Sequence, residues 1–330
     1  PSAHLERAAR ASSIERAGPP QALISSAQRE RRALSARGTL YLKLVLMAAC
    51  WGGQFIAGRV VAPMLPHFTT GALRFLVAAV GLVALAMLRE GGLPRPDARQ
   101  WRLLFALGLA GVFLYNAFFF AALEIVPAGR AALMIALIPV FTAIGAWLVF
   151  REPMTAVRWL GIALSLAGAA VVVTQGDLGA VTRGAIAHGE LLLIGSVLAW
   201  VAYTLLGRVG PKGMSPLATT TWAALIGTVM LVAVALFEDP WGRIAALPLR
   251  GWVSVAYLGL FGTVIAFLWY LEGVRAIGGP RTAVFLNLVP VFALVLATLI
   301  LGEPLLHSLL VGGAMVIAGV MLTNRPAAVG

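Results

Sequence analysis

The sequence predicts an all-α integral membrane protein of ten transmembrane helices arranged as two inverted five-helix repeats, and three observations lead there. Of its 330 residues 60% are hydrophobic and 12% charged, with a mean hydropathy of +0.92, too little polar surface to clothe a water-soluble globule of this length. The apolar residues gather in runs on the order of 20, the length a helix needs to cross hydrocarbon, where barrel strands would alternate over about 10. The last third of the chain also repeats its middle third. Adding 151 aligns Arg130 with Arg281, Pro139-Val140-Phe141 with Pro290-Val291-Phe292, Glu152-Pro153 with Glu303-Pro304, and Ala167-Gly168 with Ala318-Gly319. Upstream, Trp101 and Gly108 meet Trp252 and Gly259 at the same offset, and Trp51 with Gly58-Arg59-Val60 meets Trp200 with Gly207-Arg208-Val209 at 149. Internal repeats in a membrane protein point first to a transporter.

Taken in order, the predicted spans are 41–60, 70–88, 101–122, 130–150, 156–174, 188–207, 217–237, 251–271, 282–301 and 305–323. Charged loops separate them. Arg89, Arg95, Arg99 and, at the start of the third span, Arg102 follow the second span; Arg151 and, in the first turn of the fifth span, Arg158 follow the fourth; Arg208 and Lys212 follow the sixth, Arg275 and Arg281 the eighth, and Arg325 the last. With the amino terminus in the cytoplasm, nineteen of the 25 Lys and Arg fall on that side. Arg59, Arg74, Arg130, Arg183, Arg243 and Arg250 fall on the other. This is the positive-inside bias, with both termini cytoplasmic in the inner membrane. Because each half holds an odd number of spans, the second must enter upside down, the arrangement that lets one site open alternately to each side.

The domains are thus a basic tail over 1–40, a first repeat over 41–174 and a second over 188–323. The tail is Arg- and Ser-rich, as a transit peptide is, but Glu6, Glu15 and Glu30 count against that reading, and a disordered cytosolic segment is expected. A signal peptide is not expected, since the first apolar run starts near residue 40 and resembles the others. Cys50, the single cysteine, excludes an intramolecular disulfide and a Cys-based zinc site.

Ala72-Leu73-Arg74-Phe75 opening the second span, Pro139-Val140-Phe141 with Glu152-Pro153, and their partners Pro290-Val291-Phe292, Gly302-Glu303-Pro304 and Gly312…Ala318-Gly319 carry a resemblance to the drug/metabolite transporter superfamily, in particular its ten-helix EamA-type members. The likeness covers residues 41–323 and is most like the YddG-type amino-acid exporters. It implies outward movement of aromatic and other neutral amino acids through a cavity built by helices 1, 3, 4, 6, 8 and 9. The first half departs from the pattern at Arg151-Glu152, where the second has Gly302-Glu303; an altered loop contact is expected there, with the fold kept.

A substrate path should lie where polar and aromatic groups share a helix face that would otherwise meet lipid. Trp51, Gln54, Phe55 and Gly58 stand at i, i+3, i+4 and i+7, and the repeat places Trp200, Tyr203, Thr204 and Gly207 at the same positions. Val112, Asn116 and Phe119 correspond likewise to Thr263, Phe267 and Tyr270. Asn116 and Asn287 are the asparagines inside spans, and a buried amide needs partners that a wet cavity or a neighbouring helix supplies. The competing reading is a helix seam, with Gly for close approach. Pro139 and Pro290 each remove a backbone hydrogen bond inside a span and predict bends, either hinges or static kinks. Gly161, Ser165, Gly168, Gly312 and Gly319 read as packing stripes. Arg74, at the outer end of its span, reads as a headgroup anchor, with a gate as the alternative.

The remaining residues narrow the chemistry. No Asp or Glu lies mid-span, so no carboxylate proton relay or acidic cation site is visible. No phosphate loop ending Gly-Lys-Ser/Thr occurs. His4, His67, His188 and His307 lie in the tail or near span ends, which disfavours an intramembrane enzyme. The candidate walls hold neither Arg nor Lys, so a neutral or zwitterionic small molecule is the expected cargo; a nucleobase, sugar or other neutral metabolite or drug is the alternative. No catalytic residue, cofactor, metal or nucleic acid is expected; the partners are substrate and bilayer, and a monomer is the expected state.

Overall fold

In the computed structural model, residues 21–177 and 188–324 are described; the expectations for residues 1–20, Arg183 and Arg325 lie outside them. Residues to Leu44 form one unit and Val45–Gly330 another. The first helix begins well before the apolar run. The stretch from Gln21 is rich in Ala, Leu, Gln and Arg and free of proline, so it favours helix, and α1 runs Gln21–Val61. The described helix therefore reaches back into the tail as far as Gln21.

The chain continues as α2 (His67–Glu90), α3 (Ala98–Leu123), α4 (Ala128–Phe150), α5 (Ala156–Thr174), α6 (His188–Val209), α7 (Pro216–Glu238), α8 (Leu249–Ile277) and α9 (Arg281–Leu301), all long and apolar enough to span a membrane among the described residues, followed by the shorter α10 (His307–Thr323). Local chemistry sets their ends. Asp97 and Gln100 form a capping box on α3, Ser215 caps α7 before a proline in its first turn, and Gly91 closes α2 at φ 73°. Arg151 and Gly302 occupy the same left-handed position after α4 and α9, at φ 57° and 68°.

Two irregularities recur in both halves. α3 loosens into a π-helical segment at Gly108–Leu114, and α8 does so at Leu260–Ile265. α4 is broken by a turn at Ala136-Leu137, just before Pro139, and α9 tightens into a 3-10 turn at Phe285–Asn287, just before Pro290. A proline lacks an N–H and crowds the preceding turn, so each helix restarts there.

Equivalent helices pack on one another. Where α5 meets α10, a methyl on Gly161 would lie 2.6 Å from the Gly319 carbonyl oxygen and one on Gly168 2.6 Å from that of Gly312. Ser165 donates to the carbonyl of Val316, its own repeat partner, at 3.3 Å. Rising numbers on one helix thus face falling numbers on the other, so the pair is antiparallel and its stripes pack as the spacing predicts. α2 meets α7 in the same sense, with the Thr228 hydroxyl donating to Phe75 O at 3.4 Å and Gly71 against Leu231. The first helix of each half lies on the third of the other. Trp51 donates to Gly262 O on α8, and Tyr257 returns a bond to Cys50 O. On the far side Tyr203 of α6 covers Gly111 of α3 so closely that a side chain there would overlap its ring.

Candidate functional site

Three polar side chains from three helices converge on one buried arginine. Arg74 stands about two turns into α2 and is 5% exposed. Its Nη1 donates to Asn116 Oδ1 at 3.1 Å, its Nη2 to Gln54 Oε1 at 3.0 Å and Thr263 Oγ1 at 3.2 Å, and its Nε to the same hydroxyl at 3.3 Å. The guanidinium also lies 5.3 Å from the centre of the Phe75 ring and 5.9 Å from that of Phe120, close enough for cation–π attraction. Four helices, α1, α2, α3 and α8, therefore meet at one charge. The expected anchor at the membrane surface is corrected: with three acceptors on three neighbouring helices, the side chain turns inward. The expectation that the walls carry no Arg or Lys is corrected with it.

The acceptors are themselves fixed. Asn116 Nδ2 donates to Val112 O at 2.6 Å, and Thr263 Oγ1 to Leu258 O at 3.0 Å, five residues back. That second bond belongs to the π segment, whose wider turn brings the carbonyl within reach of the hydroxyl.

An aromatic layer adjoins the cluster. Tyr115 stacks on Phe119 at 5.5 Å, Trp200 tilts against Tyr115 at 5.0 Å and Tyr203 at 5.2 Å, and Phe55 meets Phe119 edge-on at 5.4 Å. Trp51 contacts Tyr270 at 5.8 Å. The structure thus brings together Trp51, Gln54, Asn116, Phe119, Trp200, Tyr203, Thr263 and Tyr270. Three candidates make no side-chain hydrogen bond or ring contact with this group among the described residues. Phe267 packs with the apolar cluster of α2 and α7, Thr204 returns its hydroxyl to Trp200 O at 2.8 Å, and Asn287 sits at the break in α9 with no side-chain hydrogen bond among the described residues.

The breaks before the two prolines sit in unlike surroundings. The first half of α4 packs against the last half of α9, whereas the first turns of α9 pack mainly on α8. Leu133 is 1% exposed and its repeat partner Val284 57%. At the packed end, the Glu303 carboxylate accepts from the Ala128 and Gly129 N–H groups at 2.7 and 3.0 Å, capping α4. Its equivalent Glu152 instead pairs with Arg208.

Gln54, Asn116 and Thr263 stand on the helix faces that the sequence marks, whereas Arg74, the charge at their centre, does not. The available signal was an ionisable residue within an apolar run, which marks a site by default. The predicted start of the second span, three residues late, placed Arg74 too near the surface.

The comparisons agree with this architecture. The model of the EamA-like transporter family matches twice, over residues 38–174 and 187–325. The chain is 30% identical over 286 residues to the uncharacterized transporter YyaM of Bacillus subtilis (strain 168), covering 86% of this chain and 93% of that one. It is 33% identical over 283 residues to a probable terminal-alkyne amino-acid exporter of Streptantibioticus cattleyicolor, covering 86% and 92%. Over 304 residues it is 32% identical to the uncharacterized inner membrane transporter YedA of Escherichia coli (strain K12), covering 89% and 92%. With apolar helices throughout, and one repeat matched in each half, the chain belongs to the EamA-like transporter family of the drug/metabolite transporter superfamily and is a multi-pass membrane transporter.

Proposed function

We propose that the protein exports neutral amino acids, aromatic ones among them, across the cytoplasmic membrane, with both termini cytoplasmic. The observation that carries this reading is the layer of Trp51, Phe119, Trp200, Tyr203 and Tyr270 beside the amide and hydroxyl groups of Gln54, Asn116 and Thr263, contributed by both halves. Such a site offers faces for an aromatic side chain and hydrogen bonds for a zwitterion. A relative named as a probable amino-acid exporter supports the same class.

Two inverted repeats rocking about the cluster would give alternating access. The antiparallel packing of α5 on α10 supports the inversion, and the unequal packing of α4 and α9 supports one access state, closed at the Glu303 end. Pro139 and Pro290 then serve as hinges. The lysines and arginines gathered on one side orient that side toward the cytoplasm.

The test is efflux and uptake of a labelled amino-acid panel in proteoliposomes, for wild type, Trp200→Ala and Tyr270→Ala, with and without a proton gradient. Saturable movement that falls at least about tenfold in the variants, as loss of a stacking face implies, is the expected result. Absence of movement for every amino acid under every gradient would overturn the substrate class.

A further inference from the structure

We propose that Arg74, framed by Gln54, Asn116 and Thr263, is the seat of the transported molecule's carboxylate. The inference rests on the amino-acid reading above and adds to it the group that is recognised and the residues that recognise it.

The first ground is charge. The guanidinium is buried, and no carboxylate pairs with it among the described residues; its hydrogen-bond acceptors are two amides and one hydroxyl, and two ring faces lie beside it. A guanidinium carries five N–H donors, and the four bonds found leave one Nη1 N–H without an acceptor among the described residues. A charge withdrawn from water into hydrocarbon without a counter-charge is costly. An incoming carboxylate would replace neutral acceptors by a bidentate, oppositely charged one, the partner that the planar fork matches best.

The second ground is the repeat, which contains its own control. The helices match at an offset of 149 for α1 and α2 and of 151 for α3 and α8, so Gln54, Arg74, Asn116 and Thr263 correspond to Tyr203, Ala223, Phe267 and Val112. That second set lacks any charge or amide. Val112 and Phe267 belong to one apolar cluster, and Tyr203 lies on Gly111 as Gln54 lies on Gly262. The same helix packing is therefore built without an arginine, so the fold does not require the charge at position 74. The broken symmetry gives one polar and one apolar set, which matches an amino acid with a charged backbone end and an apolar side chain.

Gln54, Asn116 and Thr263 act as positioning residues, holding the fork aimed while the site is empty. Because they come from α1, α3 and α8, a carboxylate arriving at Arg74 is felt by helices of both halves at once.

The experiment compares phenylalanine with phenylalanine amide and phenethylamine in proteoliposomes carrying wild type, Arg74→Lys or Arg74→Gln. Wild type is expected to move the acid at least about tenfold faster than either analogue, the scale of one charge-assisted interaction. Arg74→Lys should keep part of that preference and Arg74→Gln should lose it. If Arg74→Gln does not fold, wild-type selectivity and Arg74→Lys still decide. Equal movement of acid and amide by wild type, or an undiminished preference in Arg74→Gln, would overturn the assignment while leaving the amino-acid reading intact. Movement of no amino acid by wild type would overturn both.

Discussion

Arg151 occupies a left-handed backbone position at φ 57°, where the second repeat has Gly302 at φ 68°. A side chain there crowds the following carbonyl, and helix ends of this form favour glycine. Arg151→Gly is therefore expected to raise stability by about 0.5–1 kcal/mol, read as a higher midpoint of thermal unfolding in detergent; an unchanged or lower midpoint would contradict this. The same position shows what single residues disclosed. The sequence marked Arg151 as a departure that leaves the fold intact, and the backbone bears that out. It marked Gln54, Asn116 and Thr263 through their place on a helix face, but it could not show that they share one partner. Hydrogen bonds between α1, α2, α3 and α8 join residues up to 189 apart in the chain, and no local pattern encodes such a pairing.

Among the helices, α4 is held at its start by a carboxylate from the other half. Glu303 satisfies two N–H groups that the helix itself leaves open, and its charge lies at the positive end of the helix dipole. Glu303→Ala should cost about 1–2 kcal/mol, whereas Glu152→Ala, which removes an exposed pair with Arg208, should stay within about 0.5 kcal/mol. Denaturant titration of the two variants side by side checks the difference, and equal losses would refute it. The existence and order of the spans were legible, because runs of apolar residues between charged loops carry that information locally. The π segments of α3 and α8 were not. Their glycines were visible as repeats, but it was not visible that Tyr203 covers Gly111 and Gln54 lies beside Gly262 from neighbouring helices.

For the molecule as a whole, the prediction concerns which end is closed. A methyl on Gly129 would lie 3.9 Å from Ala297 Cβ, within the range that a disulfide bridges. In a Cys50→Ala background, the pair Gly129→Cys and Ala297→Cys is expected to cross-link under mild oxidation, stop transport in proteoliposomes, and release it on reduction. Cross-linking that leaves transport unchanged would show that the ends of α4 and α9 need not separate, and would count against alternating access at this point.

By itself the sequence determined that the chain lives in lipid, that it is built of ten helices in two related halves, and which helix faces carry polar groups. Composition, run length and a constant repeat offset are each written along the chain, so each can be read from it. Only the tertiary structure decided that Arg74 points inward, that Asn287 and Thr204 share no hydrogen bond with the cluster, and that the two related halves give one polar set and one apolar set. Those outcomes depend on which helices touch, and in a bilayer helix contacts are chosen by close packing and by partners for buried polar groups, both of which are properties of the assembled bundle.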